Sequence, residues 1–294
     1  MALPDLVSRG LDGSSLEQAH VIPPPLATVD AIRSVHDFWN AASCGEELYL
    51  RNRDKAGYLA QSRRRYELEP FIPSFANAPE TRGRDVLEIG VGLGADHQLF
   101  EAGSRLIGID LTERAIDHVR RRFEAFGLQS DLRVANAERL PFPDQSFDLV
   151  YSWGVLHHTP DTSRAVREIA RVLRPGGTAR VMLYHKQSVV GLMLWLRYGL
   201  LAGKPCRSID EIFANHLESP GTKAFTVDEV RALFRGFNSV TVRTVLTHGD
   251  LLESDAGQRH RGWLLSIARA IWPRRLIRTF LPARGLFMLI EATK

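Results

Sequence analysis

The chain has 294 residues, of which 44% are hydrophobic and 24% charged, with a formal net charge of +4. That length allows one large domain or two small ones around a substantial core, and the composition excludes fibrous and disordered classes. The two cysteines, Cys44 and Cys206, lie far apart, which excludes a disulfide framework or a cysteine-based zinc module. Positive charge is concentrated locally. From Ala256 to Ile290 there is no acidic residue, but there are seven arginines: Arg259, Arg261, Arg269, Arg274, Arg275, Arg278 and Arg284. The remainder of the chain is slightly acidic, so no broad basic face for nucleic acid is expected. The segment from Met1 to Gly10 lacks the basic-then-apolar layout of a secretory leader, and the expected location is cytoplasmic.

In chain order, residues 1–30 read as a loose arm closed by Pro23-Pro24-Pro25, and residues 31–80 as a helical cap carrying Phe38, Trp39, Tyr49, Tyr58 and Tyr66. A larger domain, 81–294, follows. Short β-rich runs near 85–89, 105–109, 131–135, 147–152 and 178–184 alternate with helical spacing, the pattern of a doubly wound, mostly parallel sheet. Pro175-Gly176-Gly177 is expected to end the helix that starts near Thr162. Residues 186–221 interrupt the alternation. Within them, the apolar stretch from Val189 to Leu201 is too short, and too broken by Arg197 and Gly199, to span a membrane. Thr226 and Glu229 have capping-box spacing at the start of a helix. A strand over 239–246, a second helical insertion over 248–284 and a final strand over 286–292 complete the chain.

The most informative segment is Leu87-Glu88-Ile89-Gly90-Val91-Gly92-Leu93-Gly94, at the end of the first strand, with Asp110 closing the second. Glycines let a ligand approach the backbone, and a carboxylate can accept bonds from a ribose diol. A dinucleotide site shows the same frame, and Gly90-x-Gly92-x-x-Ala95 fits its relaxed form. Glu88 opposes that choice, because a carboxylate there repels a pyrophosphate and suits a cationic ligand. On its own, Asp110 also reads as a helix N-cap.

Further motifs follow in order: Asn136-Ala137-Glu138 leading to Pro141-Phe142-Pro143, then Tyr151-Ser152-Trp153-Gly154-Val155-Leu156-His157-His158, then Arg171-Val172-Leu173-Arg174-Pro175-Gly176-Gly177. This series resembles the class I S-adenosylmethionine-dependent methyltransferases, in particular the type 11 group, over about residues 84–185. The resemblance implies a Rossmann-like sheet whose last strand is antiparallel. It also implies S-adenosylmethionine as cofactor, held by Glu88, Gly90, Gly92 and Gly94, by Asp110 at the ribose, by Leu111 at the adenine, by Asn136, Ala137 and Glu138, and by Ser152 with Gly154 at the methionine side. Relatives with Asp where this chain has Asn136 face the adenine amino group with it.

The implied reaction is in-line displacement onto a small-molecule O, N, S or C, driven mainly by proximity and orientation. The candidates for proton transfer or substrate orientation are His157, His158, Tyr184 and His185, with a structural or cofactor-adjacent role the alternative for the histidine pair. Trp39, Tyr49 and Tyr66 are candidate substrate-facing residues, or simply packing of the cap. No metal site is expected, although His157-His158-x-x-Asp161 has the look of a ligand set. Arsenic-methylating relatives need several cysteines, which this chain lacks. The segment 262–284, apolar at helical spacing with Trp263, Trp272 and arginines between, reads either as a helix pair packed on the core or as a membrane-surface element. The second reading implies a lipid or quinone-like substrate and a peripheral membrane location.

Overall fold

The computed structural model describes residues 26–101, 105–253 and 269–294. Residues 1–25 of the expected arm, and residues 254–268 with Trp263 and its neighbours, lie outside the described residues, whereas residues 26–30, expected in the arm, already belong to a helix. Seven strands form one sheet: β1 (Asp85–Ile89), β2 (Arg105–Asp110), β3 (Asp131–Val134), β4 (Phe147–Trp153), β5 (Leu173–Tyr184), β6 (Ser239–Val245) and β7 (Phe287–Thr293), in the order β3-β2-β1-β4-β5-β7-β6. The β1–β2, β1–β4, β2–β3 and β4–β5 pairs are parallel, whereas β7 runs antiparallel to both β5 and β6. The central strands are apolar on both faces because both faces are covered. Leu87, Ile89, Val150 and Val181 join one core with Ile169 and Phe234, while Val86, Tyr151 and Met182 join the other with Phe100 and Phe213.

One boundary differs from expectation. The chain enters β5 already at Leu173, which pairs with Phe147, so Pro175-Gly176-Gly177 lies inside the strand. Gly176, at φ +78°, allows the register shift there, and its N–H bonds the Lys294 carbonyl at 2.6 Å.

The cap comprises α1 (Leu26–Ala41), α2 (Glu46–Tyr49), α3 (Lys55–Leu68) and α4 (Ile72–Ala76). It packs on α5 (Ala95–Leu99) and α6 (Glu113–Phe126). Thr112 caps α6 by accepting from the Ala115 N–H, and Gly127 ends it in the left-handed region. Buried polar side chains tie the cap down. Arg122, 1% exposed, donates to Gln98, Gln61, Ser62 and the Leu93 carbonyl. Glu46 accepts from Arg114 at 2.7 and 2.8 Å, from Arg53 at 3.0 Å and from the Ser43 N–H at 3.1 Å.

The remaining helices are α7 (Thr162–Val172), α8 (Val189–Trp195), α9 (Ile209–His216), α10 (Val227–Leu233) and α11 (Arg274–Phe280). The capping box at Thr226 and Glu229 is present as read from the sequence.

Burial pushes the Glu46 carboxyl up, but its bonds from Arg114 and Ser43 and the nearby His118 outweigh this and leave it at about 2. A depressed carboxylate stabilises the fold above its ordinary value near 4.5 and loses that contribution as pH falls toward 2. Glu46→Gln is therefore expected to lower urea-unfolding stability by ~2 kcal/mol at neutral pH. The gap from wild type should close below about pH 3. An equal gap at both pH values would show that its charge is not what anchors the cap.

Candidate active site

The carboxyl ends of β1, β2, β3 and β4 meet where the strand order reverses, which is where open α/β sheets bind ligands. Gly90, Gly92 and Gly94 are all left-handed, at φ +83°, +49° and +76°. Their surroundings differ. A Cβ on Gly90 would lie 2.0 Å from Val155 Cγ2, so this glycine is needed for the β1 turn to pack on the turn after β4. A Cβ on Gly92 would meet nothing within 4 Å, so its face is open to a ligand.

Asp110 does not cap α6; Thr112 does. Asp110 instead braces the glycine turn. Its Oδ2 accepts from the Gly92 N–H at 3.2 Å, and its Oδ1 from the Thr112 N–H and hydroxyl at 3.0 and 2.9 Å. Burial pushes its carboxyl up, and these bonds pull it back. Oδ2 keeps acceptor capacity beyond the Gly92 bond.

Leu111 is half-buried beside it. Asn136 Oδ1 accepts from the Glu138 N–H at 2.9 Å, an Asx turn, and Ala137 is buried. Glu138, also buried, accepts from the Asp161 N–H at 2.7 Å and so orders the segment after His158. The Ser152 hydroxyl is spent on the Ile89 carbonyl at 3.1 Å, joining β4 to β1.

Glu88 is 2% exposed, and its Oε2 lies 2.8 Å from His97 Nδ1. Burial raises its carboxyl well above the usual range, with Asp96 adding to the effect and Arg65 opposing it. Asp96 itself takes a two-pronged bond from Arg65, at 2.8 and 2.6 Å, and accepts from the Tyr66 and Tyr151 hydroxyls. Burial lifts Glu69 to about 7, against the attraction of the same Arg65. One guanidinium thus serves Asp96, Glu69 and Glu88, which leaves this end of the sheet with an excess of carboxyl groups.

A second cluster lies beyond β4 and β5. His157, His158 and Tyr184 come together: the His157 ring stacks on Tyr184 at 3.9 Å, and Trp39 meets His158 edge-on at 5.2 Å. Glu218, after α9, is a member of this cluster that sequence reasoning missed. It accepts from the Tyr184 hydroxyl at 2.7 Å and lies 3.2 Å from His158 Nε2. His158 Nδ1 is held by Ser219 and Thr222 at 2.8 and 3.1 Å, so both of its nitrogens are engaged. The His157 nitrogens have no protein partner, and burial drives this ring well below 6.5, hence neutral. His157, His158 and Glu218 each offer a ligating atom within 4.8 Å of the others, whereas Asp161 is spent capping α7.

His185 is placed elsewhere. Its Nδ1 lies 3.1 Å from the Gly285 carbonyl, and its backbone bridges to Phe225. Tyr66 serves Asp96, and Tyr49 lines a surface recess with Arg51 and Arg64, so of the three cap aromatics Trp39 is the one against the histidines. Cys44 retains exposed surface, yet the protein around it pushes its thiol up to about 12, with Glu218 and Glu69 adding. A groove of about 930 Å³ between α7, α9 and α10 is lined by Val166, Phe225 and Leu233 and by none of the glycine-turn residues.

Residues 87–181 match the family described as methyltransferase domain. That match covers about a third of the chain and supports its resemblance to the class I S-adenosylmethionine-dependent methyltransferases of the type 11 group. A probable S-adenosylmethionine-dependent methyltransferase of Mycolicibacterium smegmatis is 43% identical over 96 residues, 32% of this chain and 36% of that protein. A phosphatidylethanolamine N-methyltransferase of Cereibacter sphaeroides is 38% identical over 98 residues, 33% of this chain and 48% of that one. The chain thus spans half or less of the length of these relatives. Among solved structures, the [4+2]-cyclase SpnF is 18% identical with a TM-score of 0.52, covering 90% of this chain and 93% of its own. It shares the fold, and the cyclase activity in its name shows that the fold alone does not fix the reaction.

Gly90→Ala is expected to lower stability by more than ~2 kcal/mol, through overpacking and a disfavoured φ. Adding Val155→Ala should recover the packing part and leave the φ strain. No recovery in urea unfolding would show that contact with Val155 is not the constraint.

Proposed function

We propose that the chain binds S-adenosylmethionine across the ends of β1 to β4 and transfers its methyl group to a small-molecule acceptor. The observation that carries this is the open, left-handed Gly92 bonded to Asp110, beside an excess of buried carboxyl groups around Glu88. Buried carboxyl groups that can ionise in response to a ligand's charge suit a sulfonium and an ammonium. They oppose the pyrophosphate of a nicotinamide cofactor, the competing ligand of such a loop.

S-adenosylmethionine supplies a methyl group already activated on sulfur. The chain's own residues then have to bind, orient and exclude water, and proximity alone contributes on the order of 7–11 kcal/mol in favourable cases. Trp39, His157, Tyr184 and Glu218 supply the acceptor end. Glu218 is the group best placed to take a proton from a hydroxyl or amine. Its side chain is 32% exposed and held by Tyr184 and His158, while both His158 nitrogens are occupied. His185 has no part in this reading.

Asp110→Ala is expected to weaken S-adenosylmethionine binding at least about tenfold, or 1.4 kcal/mol, with the fold retained. Calorimetry with S-adenosylmethionine, S-adenosylhomocysteine and NADH side by side checks it. Unchanged affinity sinks the role of this carboxylate, and binding of NADH alone sinks the cofactor reading.

A second reading, a cytoplasmic enzyme acting on a lipid or quinone-like substrate at a membrane surface, draws on α8 and α11. These pack together through Val189 and Ile277, with Trp272 just before α11, and they and the adjoining chain leave Leu192, Leu201, Ile271 and Phe280 exposed, Leu201 at 81% and Phe280 at 73%. No helix among the described residues is long and apolar enough to cross a membrane. The relative whose name specifies phosphatidylethanolamine is consistent with this reading. Arg274 donates to the Leu252 and Arg269 carbonyls and is structural, so Arg275 is the residue to reverse. Wild type should float with phosphatidylglycerol-containing vesicles, and Phe280→Ser/Arg275→Glu should not. Failure of the wild type to float retires the membrane reading.

A further inference from the structure

His97 is a buried histidine in α5 that the proposed function leaves unused. Its ring is 0% exposed, stacks near Phe123 at 5.1 Å, and lies flat against β2 at Gly108. A Cβ on Gly108 would lie 2.8 Å from the imidazole Cε1, so the strand carries a glycine where the ring needs room. His97 Nδ1 is 2.8 Å from Glu88 Oε2, and Nε2 is 2.8 Å from the Ser130 hydroxyl.

The hydrogens in this chain can be assigned. Ser130 Oγ lies 2.9 Å from the Leu106 carbonyl, which can only accept, so the single hydroxyl hydrogen points there. Ser130 must then accept from His97, and Nε2 carries a hydrogen. With Nε2 protonated, Nδ1 is a bare lone pair in a neutral ring, or an N–H in an imidazolium. The contact with Glu88 at 2.8 Å requires one proton between the two atoms, since none would set two lone pairs against each other.

We propose that Glu88 and His97 share a single proton, and that a cationic cofactor draws it onto His97, turning Glu88 into the counter-charge with no proton released to solvent. This rests on the S-adenosylmethionine reading of the site. The transfer balances: the Glu88 Oε2–H bond breaks, the His97 Nδ1–H bond forms, and Nε2–H stays on Ser130. His97 is a positioning residue for the charge on Glu88.

Burial favours the neutral arrangement in the free protein, raising Glu88 and lowering His97 to about 3. The groups facing Glu88 are Asp96 and Asp110, which disfavour its charge, Arg65, which favours it, and Tyr151 on the neighbouring strand. A bound sulfonium or ammonium adds the positive charge that tips the balance. Without His97, the proton would have to leave the protein, and cofactor affinity would fall as pH falls.

The test is calorimetric titration with S-adenosylmethionine near pH 6, where its ammonium, with an ordinary value near 8, is fully protonated. Two buffers of different protonation enthalpy give the number of protons exchanged. His97→Gln keeps a hydrogen bond to Glu88 but cannot take a proton. It should release up to about one proton more than wild type and lose up to about tenfold in affinity per pH unit on acidification. Subtracting the wild type removes the contribution of Glu69, which itself titrates at about 7.

A purely structural His97 would be rescued by Gln with no extra proton release, and that result overturns the proposal. In the wild type, ring nitrogen NMR shifts should move from the Nε2–H tautomer to imidazolium on adding cofactor. A ring that stays neutral overturns the proposal even if the variant fails to fold. A folded wild type that does not bind S-adenosylmethionine removes the cofactor reading and this inference together. Binding with equal proton release in both proteins removes the inference alone.

Discussion

The paired bond from Arg65 to Asp96 is the joint on which both the cap and the glycine-turn end of the sheet depend. Asp96 follows the glycine turn directly, and Arg65 comes from a cap helix thirty-one residues earlier. A carboxylate that is 4% exposed needs its lone pairs filled, and two guanidinium nitrogens with two tyrosine hydroxyls fill them. Breaking such a pair from one side leaves a buried charge without compensation, a loss of about 3–5 kcal/mol. The cap is therefore held by charge at the place where the ligand cradle begins. Its position and the shape of the glycine turn are set together.

The same joint determines the electrical character of the site. Arg65 is committed to Asp96, so it offsets Glu69 and Glu88 only partly. Burial lifts Glu69 to about 7 and raises Glu88 well above the usual carboxylate range, so the free protein favours the neutral form of acids beside the proposed cation site. Such groups can ionise in response to a ligand's charge. That differs from a site lined by permanent carboxylates, which carries its repulsion whether or not it is occupied.

Much of the architecture was legible because its signals are local. The strand positions follow from short apolar runs, the α10 start from Thr226 and Glu229, and the ligand end from glycines placed directly after a strand. The β5 start was not legible, because Pro175-Gly176-Gly177 reads as a stop, whereas Gly176 tolerates the positive φ of a bulge within the strand. Glu218 was invisible for a different reason. It sits in an irregular turn sixty residues from His158, and no spacing rule connects a loop carboxylate to a histidine brought near it by tertiary packing. Tyr66 and His185 read as site residues by their place in the chain. The structure spends their polar atoms on Asp96 and on the Gly285 carbonyl. Asp96 and His97 read as ordinary helix positions, and their importance lies in partners from α3, β1, β4 and the turn before β3.

The two halves of the site come from different stretches of chain. The turns assigned to the cofactor in the proposed reading all lie within 87–181, the segment shared with relatives of quite different named substrates. Trp39 and Glu218, by contrast, reach the histidine pair from the cap and from the segment after α9. The chain is thus partitioned like a power tool with an exchangeable bit. In the proposed reading, insertion or replacement outside the shared segment redraws the acceptor wall while the turns within 87–181 keep their shape.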